Sequence, residues 1–301
     1  KEVIYHPDNQ KGVLEMAKKS IVLLKNENQL LPLKRENQTI ALIGALANDN
    51  NSPLGNWRTN SDNNTAVTVL EGMKSYQKNK VIYSKGADVN LNDNGVVKFH
   101  ERVKINNNDK SGFNAARNVA RDADVVIMVL GEDGFQSGEG RSRTKIDLPG
   151  VQQELLEEIF KVNKNIVLVL MNGRPLNINW ADKNIPSIVE AWQLGTQTGN
   201  AIAQVLYGDY NPSGKLPMSF PRDVGQIPIY YNYKNTGRPG PKNEVFWSHY
   251  NDELNSPLYP FGYGLSYTTF DYTNIKINNK IIKKDKPINI SVDLKNTGIY
   301  K

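Results

Sequence analysis

Apolar runs without polar alternation, separated by stretches of helical period, constrain this chain more than any other feature. They are Thr39-Ile-Ala-Leu-Ile-Gly44, Asp124-Val-Val-Ile-Met-Val-Leu130, Ile166-Val-Leu-Val-Leu-Met171 and Ser187-Ile-Val-Glu-Ala-Trp192, with a shorter run at Val81-Ile-Tyr83. A strand apolar on both faces must be covered on both faces, as in a parallel sheet. The intervening segments supply the cover. Residues 8–27 read as a helix with Asp8 as N-cap and Val13, Met16, Ala17, Ile21 and Leu24 on one face. A hairpin-like turn follows at 26–32. Further helices are expected at 112–122, at 149–162 with Pro149 as first helical residue, and at 198–207. The layout predicts an α/β fold: a three-layer α/β/α sandwich with a mostly parallel sheet over residues 1–210.

The pattern then changes. Residues 208–264 are rich in Pro, Gly, Tyr and Asn and carry no period. A segment of that length is expected to be ordered by packing along a surface. From Thr268 the sequence alternates through Ile275, Ile277, Ile288, Ile290, Val292 and Leu294, which reads as β-strands. Lys301 arrives after too few strands for an independent sandwich, so a truncated all-β segment is expected. No run approaches the roughly 20 apolar residues of a membrane helix. Lys1 is not preceded by Met and opens no signal-peptide core, so the chain reads as a processed or partial product.

Composition narrows the chemistry. Cysteine is absent, which removes disulfides, zinc-thiolate sites and thiol nucleophiles together. The net charge of +6 is dispersed over residues such as Lys11, Lys18, Lys19 and Lys25, a solvated pattern and not a nucleic-acid surface. His6, His100 and His249 lack metal-ligand spacing. No Gly-x-Ser-x-Gly elbow and no Gly-x-Gly-x-x-Gly turn is present. Gly208-Asp-Tyr-Asn-Pro-Ser-Gly-Lys215 has one residue too many for a phosphate loop, and Leu216 stands where a hydroxyl is needed.

Carboxylates remain. Open α/β sheets gather ligands at the carboxyl ends of their strands. The run ending at Leu130 opens into Gly131-Glu-Asp-Gly-Phe-Gln-Ser-Gly-Glu-Gly-Arg-Ser-Arg143. Glu132, just past the strand core, is either a rigidly held functional carboxylate or a structural residue that caps a helix or pairs with an arginine. Glu139, between Gly138 and Gly140, is either a surface-loop residue or a general acid with freedom to close on a ligand. Arg141 and Arg143 can pair with acids or with substrate. Met171-Asn-Gly-Arg174-Pro175 ends a second strand at the same edge. Trp57, Trp192, Tyr210, Tyr230, Tyr231, Phe246 and Trp247 are sugar-stacking types, though each taken singly is more often a core or interface residue.

The ordered set of motifs resembles family 3 glycoside hydrolases, closest to the bacterial periplasmic β-glucosidases. The resemblance rests on Ser20-Ile-Val-Leu-Leu-Lys-Asn26 with Leu31-Pro-Leu33, on Gly55-Asn-Trp57, on Gly131-Glu132 with Ser142-Arg-Thr144, and on Val169-Leu-Met-Asn-Gly-Arg-Pro175. It extends through Gly199-Asn-Ala-Ile-Ala203, Gly208 to Pro221, and Tyr259-Pro-Phe-Gly-Tyr-Gly-Leu-Ser-Tyr267.

The resemblance implies an α/β sandwich over 1–225, an irregular connecting segment over 226–266 and a truncated fibronectin III-like segment over 267–301. In such proteins a separate N-terminal barrel carries the nucleophilic aspartate, and the sandwich lends an acid/base glutamate. Glu139 matches that glutamate. Arg141, Arg143 and Arg174 form the candidate substrate-binding set, with Glu132 and Arg174 at site-lining or structural positions. The implied reaction is retaining hydrolysis of β-glucosides and short β-gluco-oligosaccharides, without metal or organic cofactor. The expected partners are the substrate, the barrel and, compatibly, a second copy in a homodimer. The expected compartment is periplasmic or extracellular. A β-xylosidase of the same family is the alternative substrate class. A non-catalytic binding or scaffolding module is the alternative of a different kind.

Overall fold

The computed structural model of the chain describes residues 3, 5–58, 61–92, 97–98, 100–239, 245–279, 281 and 284–300. Contacts divide the chain into two units, Lys1–Leu265 and Ser266–Lys301.

Six strands form the sheet of the first unit: β1 (Val22–Asn26), β2 (Thr39–Ile43), β3 (Lys80–Ser84), β4 (Val125–Gly131), β5 (Ile166–Met171) and β6 (Ser187–Glu190). Their order is β1-β6-β5-β4-β2-β3. All neighbours are parallel except β1, which runs antiparallel to β6. The mostly parallel α/β sheet expected from the apolar runs is what forms. The central strands β4 and β5 are buried along their whole length. Each such Val, Leu or Ile contributes about 1.5–3 kcal/mol over an exposed one.

Helices cover both faces. Val126, Met128 and Leu130 of β4 and Ile166, Leu168 and Leu170 of β5 face α3 (Phe113–Arg121), α4 (Gln152–Val162) and α5 (Asn179–Asn184) in one core. Ile127, Val129, Val167 and Val169 point the other way and are equally buried. That side holds α1 (Pro7–Ser20), α2 (Val69–Lys74) and α6 (Thr198–Leu206), of which α6 packs on both others. The α2–α6 crossing is close enough that a Cβ on Gly199 would lie 1.9 Å from the Thr68 carbonyl oxygen. Gly199→Ala is therefore expected to destabilise the fold by about 1–3 kcal/mol, read as a lower urea midpoint. Among the described residues no helix is long and apolar enough to cross a membrane.

The helix expected over 8–27 stops at Ser20. Ile21 is extended, and Val22–Asn26 is the edge strand β1. Ile21 and Leu24 satisfy a helical period, but Val22 and Leu23 are buried as well, which an edge strand between two layers permits and a one-faced helix does not. The N-cap is His6, not Asp8: its Nδ1 accepts from the Asp8 N–H at 3.3 Å, and Pro7 takes the first helical position. Likewise α4 begins at Gln152, not Pro149, because Gly150 at φ +66° turns the chain before the helix. The 26–32 segment holds a single 3₁₀ turn, Glu27–Gln29.

Within the irregular stretch, Phe220 pairs with Tyr259, and both enter the α3–α4–α5 core. Leu265 hydrogen-bonds to Leu23 of β1. The second unit is a two-stranded antiparallel sheet, β7 (Phe270–Ile277) and β8 (Ile290–Asn296), with its side chains exposed.

Candidate active site

The carboxyl ends of β4, β5 and β6 meet at one edge. The 132–151 loop is closed at its base by Gln152 of α4. Its Nε2 donates to the Gly131 carbonyl at 2.7 Å, and its Oε1 accepts from the Gly131 N–H at 2.9 Å. Glu132 continues the ladder for one residue, donating its N–H to the Met171 carbonyl at 2.8 Å. Its side chain is fully buried, with 0% exposure.

Of the alternatives open for Glu132, the arginine pairing is the one formed. Arg143 Nη1 lies 2.7 Å from Oε1, and Arg174 Nε lies 3.0 Å from the same oxygen. The Gly173 N–H reaches Oε2 at 3.3 Å. A carboxylate without water needs this number of donors to offset desolvation.

Beyond Glu132 the loop is built by local bonds. The Asp133 side chain accepts from the Phe135 N–H at 2.8 Å and from Asn90 Nδ2 at 2.7 Å. Gln136 Oε1 accepts from the Asp133 N–H at 2.8 Å. Burial raises the Asp133 carboxyl above its ordinary range and the Asp49 charge adds to the rise, while the hydrogen bonds from Phe135, Asn90 and Ser52 oppose it. The Phe135 ring carries two guanidinium groups, Arg58 at 5.1 Å and Arg141 at 5.9 Å from its centre. Arg141 also donates to the Glu101 carbonyl at 2.6 Å.

The tip is a β-turn closed by the Arg141 N–H on the Gly138 carbonyl at 3.2 Å. Glu139 and Gly140 are its central residues, and both are exposed. Gly140 has φ +68°, which this turn position asks of glycine. Gly138 has φ +117°, and a Cβ there would sit 2.1 Å from Asn56 Nδ2. That approach seats Asn56, the chain neighbour of Trp57, against Gly138, and Trp57 itself is 74% exposed. Among the described residues no hydrogen-bond or ion-pair partner holds the Glu139 side chain. A carboxyl group presented in this way is free to exchange a proton with a ligand.

Arg174 lies beneath the turn. Its Nη2 donates to the Gln136 carbonyl and, at 2.9 Å, to the Arg141 carbonyl. Arg143 additionally donates to the Asp147 carbonyl at 2.9 Å. The structure therefore brings Glu132, Arg143 and Arg174 into one network. It carries Glu139 and Arg141 on the turn that this network supports. Of the other aromatic candidates, Trp192 packs edge-on against Phe220 at 6.1 Å, and Tyr231 stacks on Phe261 at 4.8 Å.

One member of this edge escaped sequence reasoning. Glu190, at the end of β6, has 0% exposure. It accepts from the Trp192 N–H at 2.9 Å and from Asn172 Nδ2 at 3.2 Å. Asn172 in turn donates to the Arg174 carbonyl at 2.8 Å. A lone acid inside the apolar run 187–192 was the available signal. Burial raises the Glu190 carboxyl well above the carboxylate range, the two hydrogen bonds oppose this, and the Glu132 charge adds to it.

The folded chain thus holds a proton that an unfolded one, with a carboxyl near about 4.3, releases. The contribution of Glu190 is greatest below that value and declines as pH rises toward the folded one. Glu190→Gln cannot titrate. Its stability relative to the unmodified chain is expected to rise as pH rises above the ordinary carboxyl value in urea unfolding, whereas a constant difference would mean an ordinary carboxyl.

The family described as Glycosyl hydrolase family 3 C-terminal domain matches residues 21–267. A periplasmic beta-glucosidase of Salmonella typhimurium is 45% identical over 299 residues, covering 96% of this chain and 39% of its own length. A beta-xylosidase of Formosa agariphila is 39% identical over 298 residues, covering 97% and 38%. The solved structure of a beta-glucosidase from Listeria innocua in complex with isofagomine superposes with a TM-score of 0.85 at 32% identity, over 97% of this chain and 38% of that one. The chain spans less than two fifths of the length of each of these relatives.

Proposed function

The chain belongs to glycosyl hydrolase family 3, and from that premise we propose that it is the acid/base-supplying domain of a retaining, exo-acting β-glucosidase. The observation that carries this reading is Glu139 itself: an exposed carboxyl, unpaired among the described residues, at the corner of a turn whose base is fixed by Gln152, Glu132 and two arginines.

In the proposed reaction a nucleophilic carboxylate on a barrel domain attacks the anomeric carbon. Glu139, as the acid, gives its proton to the departing glycosidic oxygen. The resulting carboxylate then takes a proton from water as that water displaces the enzyme ester. The two carboxyl groups must come within about 5–5.5 Å of one another across the bond. A turn that projects from the edge of the sheet suits a residue that completes a site elsewhere. Arg141 and Arg143 flank exposed Ser142 next to the turn, and they are proposed as sugar contacts in addition to their bonds within the protein. Exposed Trp57, next to Asn56 in the chain, is proposed as a flat face for sugar stacking. The periplasmic relative supports a periplasmic or extracellular setting.

The β-xylosidase relative keeps a second substrate class open, since it matches 97% of the chain. Glucosides and xylosides differ in one hydroxymethyl group, and the proposed sugar pocket lies largely on the barrel. Paired assays with aryl β-glucoside and aryl β-xyloside separate the two.

A two-part site has a direct consequence. Purified residues 1–301 are expected to show no turnover of aryl β-glucosides, and the protein that also contains the barrel is expected to be active. Robust hydrolysis by residues 1–301 alone would overturn the proposal.

A further inference from the structure

Building on the reading of Glu139 as acid/base, we propose that Arg174 is the positioning residue of the acid/base turn, with Glu132 as its anchor. Arg174 reaches Glu139 only through the backbone. Its Nη2 binds the carbonyls of Gln136 and Arg141, the residues on either side of the segment 137–140. Because one nitrogen holds both oxygens, the two ends of that segment cannot separate. Glu139 stands at its summit.

The geometry explains why this residue is an arginine. Three of its five N–H groups are committed to the protein, one on Glu132 and two on the carbonyls. A planar guanidinium presents these donors in a fixed fork, which a lysine cannot reproduce. The anchor is equally specific. Glu132 holds Nε of Arg174, takes Arg143 on the same Oε1, and accepts the Gly173 N–H next to Arg174 in the chain. Asn172 fixes the Arg174 carbonyl from below. A tip with glycine at 138 and 140 has little stiffness of its own, so its position is set by these external bonds. Proton transfer falls steeply when the donor is misplaced, and an error of about 1 Å can cost roughly 10²-fold.

The test compares Arg174→Met, Glu139→Ala and the double variant in the full-length protein with its barrel. Each is assayed on aryl β-glucosides with poor and with good leaving groups. Arg174→Met is expected to lower kcat/KM about 10–100-fold for poor leaving groups and several-fold less for good ones. In the Glu139→Ala background the same change is expected to cost less than about 2-fold, because the group it positions is gone. Arg174→Lys, which keeps a charge next to Glu132, is expected to show the same leaving-group selectivity with a smaller loss. It also serves if the Met variant does not fold.

An equal loss across leaving groups, or losses that multiply in the double variant, would mean that Arg174 acts on the sugar or on the fold at large, and would overturn the inference alone. If Glu139→Ala itself shows no dependence on the leaving group, the acid/base reading fails, and the inference fails with it.

Discussion

Replacing Glu139 by alanine is expected to lower kcat/KM for β-glucosides with poor leaving groups by about 10²–10⁴-fold, the range typical of a lost general acid. An alkoxide-like leaving oxygen cannot depart without a proton, so the first step suffers most with such substrates. An activated aryl glucoside departs as a stable anion and needs no proton. For it the first step survives, and the glycosyl-enzyme accumulates because no base remains to activate water. A burst of released phenol followed by slow turnover is the expected signature, with KM falling alongside kcat. Loss of equal size on both substrate classes would assign Glu139 to binding or folding. Nothing in the fold depends on this side chain: it is exposed and lacks a partner among the described residues, so the variant is expected to unfold with the unmodified chain.

The second large effect is on stability. Glu132→Ala is expected to cost about 3–5 kcal/mol, the usual penalty for removing one member of a buried ion pair. The carboxylate has no exposure, while the Arg143 and Arg174 side chains are 20% and 21% exposed. The alanine variant leaves both guanidinium groups facing a gap, together with an unsatisfied Gly173 N–H. Partial access of water to the arginines favours the lower end of the range. Glu132→Gln, which keeps an acceptor of the same shape, is expected to fall between. Urea unfolding of residues 1–301 measures both. A cost below about 1 kcal/mol for the alanine variant would show that the pair adds no more than a surface salt bridge.

The parallel sheet was legible because β4 and β5 are apolar at every position, and only cover on both faces accommodates that. The boundary at residue 21 was not. Ile21 and Leu24 fit a helix, and only pairing of Val22 with Glu190, far along the chain, decides for a strand. Pro149 was a sound local signal overridden by Gly150.

At the site, Glu139 stood out through its flanking glycines and its place after a buried strand. Its anchoring could not be read in the same way. Glu132 and Arg174 are 42 residues apart, and they meet only because β4 and β5 are neighbours in register, Gly131 beside Met171. Glu190 stayed hidden within an apolar run, since a sequence shows that an acid is present and not whether water reaches it.

We propose Glu139 as the acid/base of a retaining pair whose nucleophile lies on the barrel. Azide rescue of Glu139→Ala in the full-length protein, with the product identified by NMR, tests that role. Azide needs no base. It attacks the anomeric carbon of the accumulated glycosyl-enzyme as the ester bond to the nucleophile breaks. The expected outcome is faster turnover of activated aryl β-glucosides and formation of the β-glycosyl azide, with configuration retained. Formation of the α-glycosyl azide would assign Glu139 to the nucleophile position, and absence of any rescue would remove it from the acid/base role.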